Sequence, residues 1–215
     1  MLSLESAHAW YPPADPVHGF DHMVRVYHLA ERLAQAEGAD LEVVRAAALL
    51  HDAQAPAEAE PAGESRRQAH HHASASFAAQ VLQTEGWQEE RIQAVAHCIR
   101  AHRFRDNAEQ PATLEARVLF DADKLDAIGA VGVARAIAYA AQHNKPIYAD
   151  PSLLFVEHGI LSPHEEHSAF HEYVFKLRRL KEFLFTPSAR QIAEERHRVM
   201  AAFFEQLRQE MEGEV

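Results

Sequence analysis

Several histidine and aspartate residues of this chain, which are residue types that bind metals, lie at the ends or on the inner faces of predicted helices. His51 and Asp52 end the apolar run in "AALLHDAQAP". His22 lies about 30 residues before this pair and Asp123 about 70 after it. Imidazole nitrogens combined with carboxylate oxygens suit Mn, Fe, Co, Ni or Zn better than Ca. Such a centre would activate water for hydrolysis.

Helical spacing directs the first of these histidines toward the core. On the first predicted helix, His22 begins a stripe of residues spaced by 4, 3 and 4 positions. The apolar members of this stripe are Val26, Leu29 and Leu33. Residues at this spacing share one face of a helix. His18 lies one turn earlier on the same face.

On three further predicted helices, the same spacing places polar residues on the side that faces the core. His51 follows Val44 and Ala47 on the apolar side of the second helix. His102 ends an apolar stripe on the fourth helix, and Asp123 shares the face of Leu119 on the fifth. The stripe before His102 consists of Ile92, Val95 and Ile99. The predicted helices therefore bring imidazoles and carboxylates into one core.

An inward histidine taken alone is ordinarily a hydrogen-bonded core residue, and that interpretation stays open for each one here. Several charges buried together cost many kcal/mol unless they are compensated. Two neutral imidazoles, two carboxylates and one dication form a neutral set. The joint pattern therefore favours a metal site over separate core contacts.

The elements that must position these residues are predicted to be helices almost throughout. Alanine is abundant, glycine scarce, and no run alternates as a strand does. Gly38 ends the first helix and Asp40 is the predicted N-cap of the second. Helices are predicted over about 16–37, 40–51, 67–85, 88–102, 113–142, 169–185 and 188–212. The segments 53–65 and 143–168 are predicted loops, the latter a long ordered loop or lid. No linker divides the chain, so the prediction is a single-domain, all-α helical bundle.

Composition excludes several classes of function. The 215 residues carry a net charge of −11, which disfavours extended nucleic acid and anionic membranes as partners. No segment reaches the roughly 20 apolar residues of a membrane span, and residues 1–15 lack the features of a signal peptide. The single Cys98 excludes an internal disulfide and predicts a reducing, cytoplasmic location.

Several sequence stretches resemble the HD superfamily of metal-dependent phosphohydrolases. The motifs are "HMVRV" (22–26), "LLHDA" (49–53) and "DADKLDAIGA" (121–130). Longer stretches resemble its YpgQ/YedJ-like subfamily of small bacterial hydrolases: "HHHASASFAAQVL" (70–82), "HCIRAHRF" (97–104), "LEARVLFDADKLDAIGAVGVARA" (114–136) and "KLRRLKEFLFTPSARQIAEERHRVM" (176–200). The resemblance covers about residues 16–205. It implies an HD core over about 16–142, a lid loop over 143–168 and C-terminal helices over 169–212.

The H…HD…D pattern of this family implies the metal ligands. Carried over by position, they are His22, His51, Asp52 and Asp123. Asp123 is preferred as the last ligand because it precedes a Lys-Leu step. Asp121 and Asp126 are its rivals for that role.

Further roles follow from the resemblance and from charge. Asp52 is also a candidate to orient the nucleophilic water. Lys124 and Arg25 are candidates to steady phosphate, and either could instead be a surface charge or a structural ion pair. The predicted substrate-binding residues are His18, His70, His71, His102, Lys145 and Tyr148. Some HD proteins use such extra histidines for a second metal.

The implied function is a metal-dependent phosphohydrolase that acts on nucleotides. The subfamily implies hydrolysis of (deoxy)nucleoside triphosphates to monophosphates by metal-activated water. Mn²⁺ is the preferred metal, with Mg²⁺, Co²⁺, Ni²⁺, Fe²⁺ or Zn²⁺ as alternatives, and the protein is expected to be a monomer or homodimer. Rival functions are a phosphodiesterase on cyclic or short oligonucleotides and a non-catalytic, nucleotide-binding regulatory module.

Overall fold

A computed structural model describes residues 2–11, 19–53, 64–103 and 109–215, with the backbone alone described over 64–70. These residues form α-helices and two short 3₁₀ helices without any strand, which confirms the all-α prediction. The helices are α1 (Leu4–Ala7), α2 (Phe20–Glu37), α3 (Leu41–Leu50), α4 (Glu64–Thr84), α5 (Glu89–Ala101), α6 (Leu114–Asp126), α7 (Gly129–Gln142), α8 (Leu153–His158), α9 (Ala169–Phe175) and α10 (Pro187–Glu212). The 3₁₀ helices are His8–Trp10 and Leu177–Phe183.

The chain divides into two compact units, residues 1–123 and 124–215. In the first unit, α3 packs against α2, α4 and α5, and α4 also packs against α5. Helix α3 is the central element because every residue from Ala46 to Leu50 is buried. Its three alanines leave room for close approach of the neighbouring helices.

Local sequence explains where α3 begins. The Asp40 carboxylate accepts hydrogen bonds from the backbone amides of Glu42 at 3.0 Å and Val43 at 3.2 Å. This confirms Asp40 as the N-cap, which satisfies amide groups that lack a partner inside the helix. The preceding helix α2 ends at Gly38, as the sequence predicted, and Gly38 has a left-handed φ of +76°.

The second unit is built around the long helix α10. Helix α7 packs against α9 and α10, and the 3₁₀ helix at 177–183 packs against both α9 and α10. Met200 and Phe204 of α10 are fully buried, as is Leu180 of the 3₁₀ helix. Thr186 caps α10 by accepting from the amide of Ala189, which confirms the predicted break before this helix.

The single helix predicted over 113–142 is wrong, because the chain breaks between α6 and α7. Ile128 is extended, with φ −126° and ψ 168°, and Gly129 has a left-handed φ of +78°. A Cβ on Gly132 would come within 2.2 Å of the Ala127 carbonyl oxygen. The glycines therefore permit a turn, although the alanine-rich sequence around them has the pattern of a continuous helix.

Two further boundaries differ from the sequence expectation. The predicted loop at 143–168 contains helix α8, which the Ser152 hydroxyl caps by accepting from the amide of Phe155. The helix expected over 169–185 is α9 followed by the 3₁₀ helix. Short capped turns of this kind lack the repeated apolar spacing that identifies longer helices.

Most of the predicted loop at 53–65 lies outside the described residues. The expected division into an HD core, a lid loop and C-terminal helices stays a prediction. Among the described helices, none is both long and apolar enough to cross a membrane.

Candidate metal centre

Two buried imidazoles face each other at the centre of the first unit. His22 lies in the first turn of α2, and His51 follows the last residue of α3. Their Nε2 atoms are 3.4 Å apart, and their side chains are 1% and 0% exposed. The apolar stripes of the two helices explain this meeting, since both histidines occupy the core-facing side.

The side chain of Asp52 joins three imidazoles. Its Oδ2 atom lies 3.6 Å from His51 Nε2 and 3.9 Å from His22 Nε2. Its Oδ1 atom lies 3.6 Å from Nε2 of His102, which follows the last residue of α5. The Asp52 side chain is 13% exposed, while its Oδ1 atom is buried.

Asp123 completes the cluster from α6. Its Oδ1 atom lies 3.4 Å from His22 Nε2, and its side chain is 17% exposed. Within the described residues, His22, His51 and Asp123 form a group whose ligand atoms all lie within 4.8 Å of one another. Asp126 is instead engaged by Arg135 at 2.9 Å, and Asp121 is fully buried. The geometry therefore favours Asp123 among the three candidates for the last ligand.

Hydrogen bonds to the backbone determine which ring nitrogen faces the cluster. His51 Nδ1 lies 2.8 Å from the Ala48 carbonyl oxygen, and His102 Nδ1 lies 2.5 Å from the Ile99 carbonyl oxygen. A carbonyl only accepts, so Nδ1 carries the proton in both rings. In the neutral rings, Nε2 then presents its lone pair toward the cluster. This arrangement is typical of histidines that bind metals.

Burial keeps His51 in the neutral form that a metal requires. The pKa of His51 is lowered to about 4, first by desolvation and then by the nearby imidazoles of His102 and His22, while the charges of Asp52 and Asp123 oppose the shift. The ring is therefore uncharged at neutral pH, with its Nε2 lone pair available.

The turn that carries His51 and Asp52 is held from two directions. The phenol of Tyr11 donates to the Leu49 carbonyl oxygen at 3.0 Å. The buried hydroxyl of Ser74, on α4, donates to the Ala53 carbonyl oxygen at 3.0 Å. The last carbonyl groups of a helix lack partners within the helix, so Tyr11 satisfies one of them at the end of α3. Ser74 instead holds the residue that follows the HD dipeptide.

The separations fit a divalent metal better than direct hydrogen bonding. Direct charge-assisted hydrogen bonds between imidazole and carboxylate measure about 2.7–2.9 Å. A metal about 2.1 Å from each donor places neighbouring donors about 3.0–3.4 Å apart in octahedral or tetrahedral geometry. The observed distances of 3.4 to 3.9 Å need only small adjustments to reach that range. His22, His51 and Asp123 thus have the spacing of a possible site for one divalent cation, and the role of Asp52 as a fourth ligand stays a prediction.

Comparison with known proteins establishes the family. The sequence matches the family described as HD domain over residues 19–128, a range that contains the whole cluster. The chain belongs to the HD-domain family. The HD dipeptide of that family is His51-Asp52 in this chain, and the resemblance noted from the sequence motifs is confirmed.

The similarity to known proteins extends over almost the full length of this chain. The chain is 34% identical over 202 residues to the uncharacterised protein YpgQ of Bacillus subtilis, covering 91% of this chain and 85% of that protein. The crystal structure of YpgQ in complex with ADP has a TM-score of 0.72 at 32% identity, covering 97% of both chains. An HD-superfamily hydrolase from Bacillus thuringiensis has a TM-score of 0.64 at 28% identity, covering 90% of this chain and 86% of that one.

The remaining predicted site residues of the HD chain are distributed over both units. His71 is buried in α4, and Arg25 is half-buried in α2. His18 and the side chain of His70 lie outside the described residues. Lys145 and Tyr148 belong to the second unit, where Lys145 is exposed and the Tyr148 hydroxyl donates to Asp150 at 2.6 Å. Their substrate-binding roles stay predictions.

Sequence reasoning missed Tyr11. Tyr11 is 6% exposed and lies in "HAWYPP", where no helical period marks an inward face. The adjacent aromatic residues Trp10 and Tyr11 were the available signal. The contact of Tyr11 with Leu49 becomes evident only when the chain is folded.

Proposed function

We propose that this HD-family hydrolase is a metal-dependent phosphohydrolase of nucleotides, which converts (deoxy)nucleoside triphosphates to monophosphates. The supporting observation is the convergence of His22, His51 and Asp123, with Asp52 beside them, inside the HD-domain match. The ADP bound to the related YpgQ supports a nucleotide as the substrate.

The proposed ligands have complementary properties. The two Nε2 atoms of His22 and His51 supply neutral donors, while Asp52 and Asp123 supply two negative charges. A divalent cation, with Mn²⁺ the first choice, would there screen phosphate charge and make water more acidic. The four side chains balance the dication, so the loaded site avoids an uncompensated buried charge.

Asp52 is the proposed group that orients the attacking water. Its two oxygens point in different directions, Oδ2 toward His51 and Oδ1 toward His102. One oxygen can therefore serve as a ligand while the other accepts a proton from water.

Cationic groups are proposed to bind the phosphate oxygens and to stabilise charge as the bond breaks. Lys124 follows Asp123 directly and is 8% exposed, and Arg25 lies one turn after His22 on α2. His102, 3.6 Å from Asp52, is placed to contact a phosphate near the attacking water. His71 is proposed for the same phosphate-binding role.

The test is hydrolysis of a nucleotide panel by the full-length protein with Mn²⁺, following phosphate and pyrophosphate separately. His51→Ala and Asp52→Ala should each lower the rate by at least about 100-fold, since changes beside a metal ligand already reach that size. His97→Ala is the matched control, because His97 binds Glu109 at 2.6 Å and lies outside the cluster.

The products distinguish the proposal from its rivals. Pyrophosphate with a monophosphate supports cleavage between the α and β phosphates, whereas three phosphates per nucleoside indicate a phosphatase. Bound Mn²⁺ and bound nucleotide without turnover would indicate a regulatory module. Undiminished hydrolysis by both variants would refute the proposed site.

A further inference from the structure

The N-terminal segment contacts three of the helices near the HD dipeptide, α2, α3 and α4. In this segment, residues 8–11, the His8 ring packs edge-on against Phe20 of α2, with centroids 4.5 Å apart. Trp10 packs against Phe77 of α4 at 5.7 Å. Tyr11 contacts Phe20 at 6.2 Å and reaches the end of α3 with its hydroxyl.

These contacts lie close to the ligands along each helix. Phe20 is two residues before His22, and Leu49 is two residues before His51. A shift of either helix end would therefore move an imidazole. The two Nε2 atoms, 3.4 Å apart, tolerate little displacement before one of them leaves the coordination distance.

The Tyr11 phenol contacts the backbone that leads into the HD dipeptide. It donates to the Leu49 carbonyl oxygen at 3.0 Å, two residues before His51 and three before Asp52. The phenol therefore anchors the backbone at the end of α3, directly before the HD dipeptide. Burial raises the pKa of Tyr11 well above its usual value, so the hydroxyl remains a proton donor.

We propose that Tyr11 is a positioning residue that holds His51 and Asp52 in the orientation needed to bind the metal. This inference rests on the proposed metal-dependent function and assigns it a residue outside the H…HD…D motif. The phenol acts on the backbone of the turn, so its effect reaches the metal through two ligands together. Residues that orient ligands in this way affect metal affinity as well as activity.

Tyr11→Phe in the full-length protein tests this inference, because the ring and its packing remain while the hydroxyl is lost. The dissociation constant for Mn²⁺ should rise roughly tenfold. The visible absorption spectrum of the Co²⁺-loaded protein should change, since it reports coordination geometry directly. Circular dichroism checks that the variant is folded.

Two matched variants separate positioning from general stability. Val43→Ala removes buried volume at the opposite end of α3 from His51, so it should lower the unfolding temperature and leave both metal readouts unchanged. Tyr27→Phe removes a hydroxyl from the partly exposed face of α2. It should change neither the Mn²⁺ affinity nor the Co²⁺ spectrum.

The outcomes distinguish this inference from the proposed function. An unchanged Mn²⁺ affinity and Co²⁺ spectrum in Tyr11→Phe would overturn the role of Tyr11 and leave the metal site intact. An equal loss of affinity in Val43→Ala would also overturn it. If the unaltered protein binds metal without hydrolysing nucleotides, the proposed function fails while the Tyr11 result still stands. Absence of any divalent metal binding would overturn both.

Discussion

Each unit of the protein contains a buried histidine close to a carboxylate, and the two clusters differ in how their polar atoms are satisfied. In the second unit, His171 lies 3.0 Å from Glu165, and its other nitrogen lies 2.8 Å from the Ser168 hydroxyl. Glu165 also accepts from the amides of Ser152 and Ser162, both at 2.6 Å. In the first unit, the distances from His22 and His51 to carboxylates are 3.4 to 3.9 Å.

This difference supports the proposal that the first cluster binds a metal and the second is structural. Short hydrogen bonds occupy the Glu165 cluster, which connects α8, α9 and the segment between them. The longer separations around His22 leave the space that a cation about 2.1 Å from each donor requires. Residue type alone does not distinguish the two, since both combine imidazole with carboxylate.

Replacing a carboxylate by an amide should mainly weaken metal binding in the first cluster and mainly lower stability in the second. Asp123→Asn should weaken Mn²⁺ binding by at least about 100-fold because a negative donor is lost, with the unfolding temperature of the metal-free protein changed little. Glu165→Gln should leave Mn²⁺ affinity unchanged and lower the unfolding temperature by roughly 5 °C. Titration calorimetry and thermal unfolding measure the two quantities.

Asp126→Asn is the control for the identity of the last ligand. Its carboxylate binds Arg135 at 2.9 Å, so the change should cost stability and preserve Mn²⁺ affinity. A loss of affinity in Asp126→Asn together with normal binding in Asp123→Asn would reverse the assignment.

The two clusters should respond to acid in different pH ranges. Burial lowers the pKa of His51 from 6.5 to about 4, so the unfolded chain binds more protons between these values. Hydrogen bonds, first from the Ser152 amide, lower the pKa of Glu165 from 4.5 to about 2. In both cases stability falls as the pH falls, for His51 between about 6.5 and 4 and for Glu165 between about 4.5 and 2.

Urea unfolding of the metal-free protein at a series of pH values measures this separation. His51→Asn should flatten the dependence in the upper range and Glu165→Gln in the lower range. Equal slopes for His51→Asn and the unaltered protein between pH 6.5 and 4 would contradict the lowered pKa of His51.

The smallest expected effects come from a pair of buried serines. Ser168 caps α9 and contacts His171, while Ser74 holds the Ala53 carbonyl group beside Asp52. Each change to alanine should cost about 1 kcal/mol through the lost hydrogen bond. Only Ser74→Ala should also weaken Mn²⁺ binding, by a few-fold. Equal Mn²⁺ affinities in the two variants would show that the Ser74 contact does not orient the HD turn.

The position of several site residues was predictable from local sequence because helical phase depends on neighbours three or four positions apart. The stripes that end at His51 and His102 placed these residues inward, and both are buried. Asp40 was recognisable as an N-cap for the same local reason. The break at Gly129 was not predictable from the sequence pattern because its neighbours are good helix formers. A glycine in the left-handed conformation does not alter the spacing of apolar residues.

The sequence by itself determined the all-α class, the HD motif and the inward faces, because these depend on residue types and short spacings. Only the tertiary structure decided that Asp123 faces His22 while Asp126 faces Arg135. It also decided that Tyr11 reaches Leu49, 38 positions away along the chain. Such contacts depend on how whole helices pack, and small differences in packing determine whether two polar groups meet at 3 Å or bind different partners.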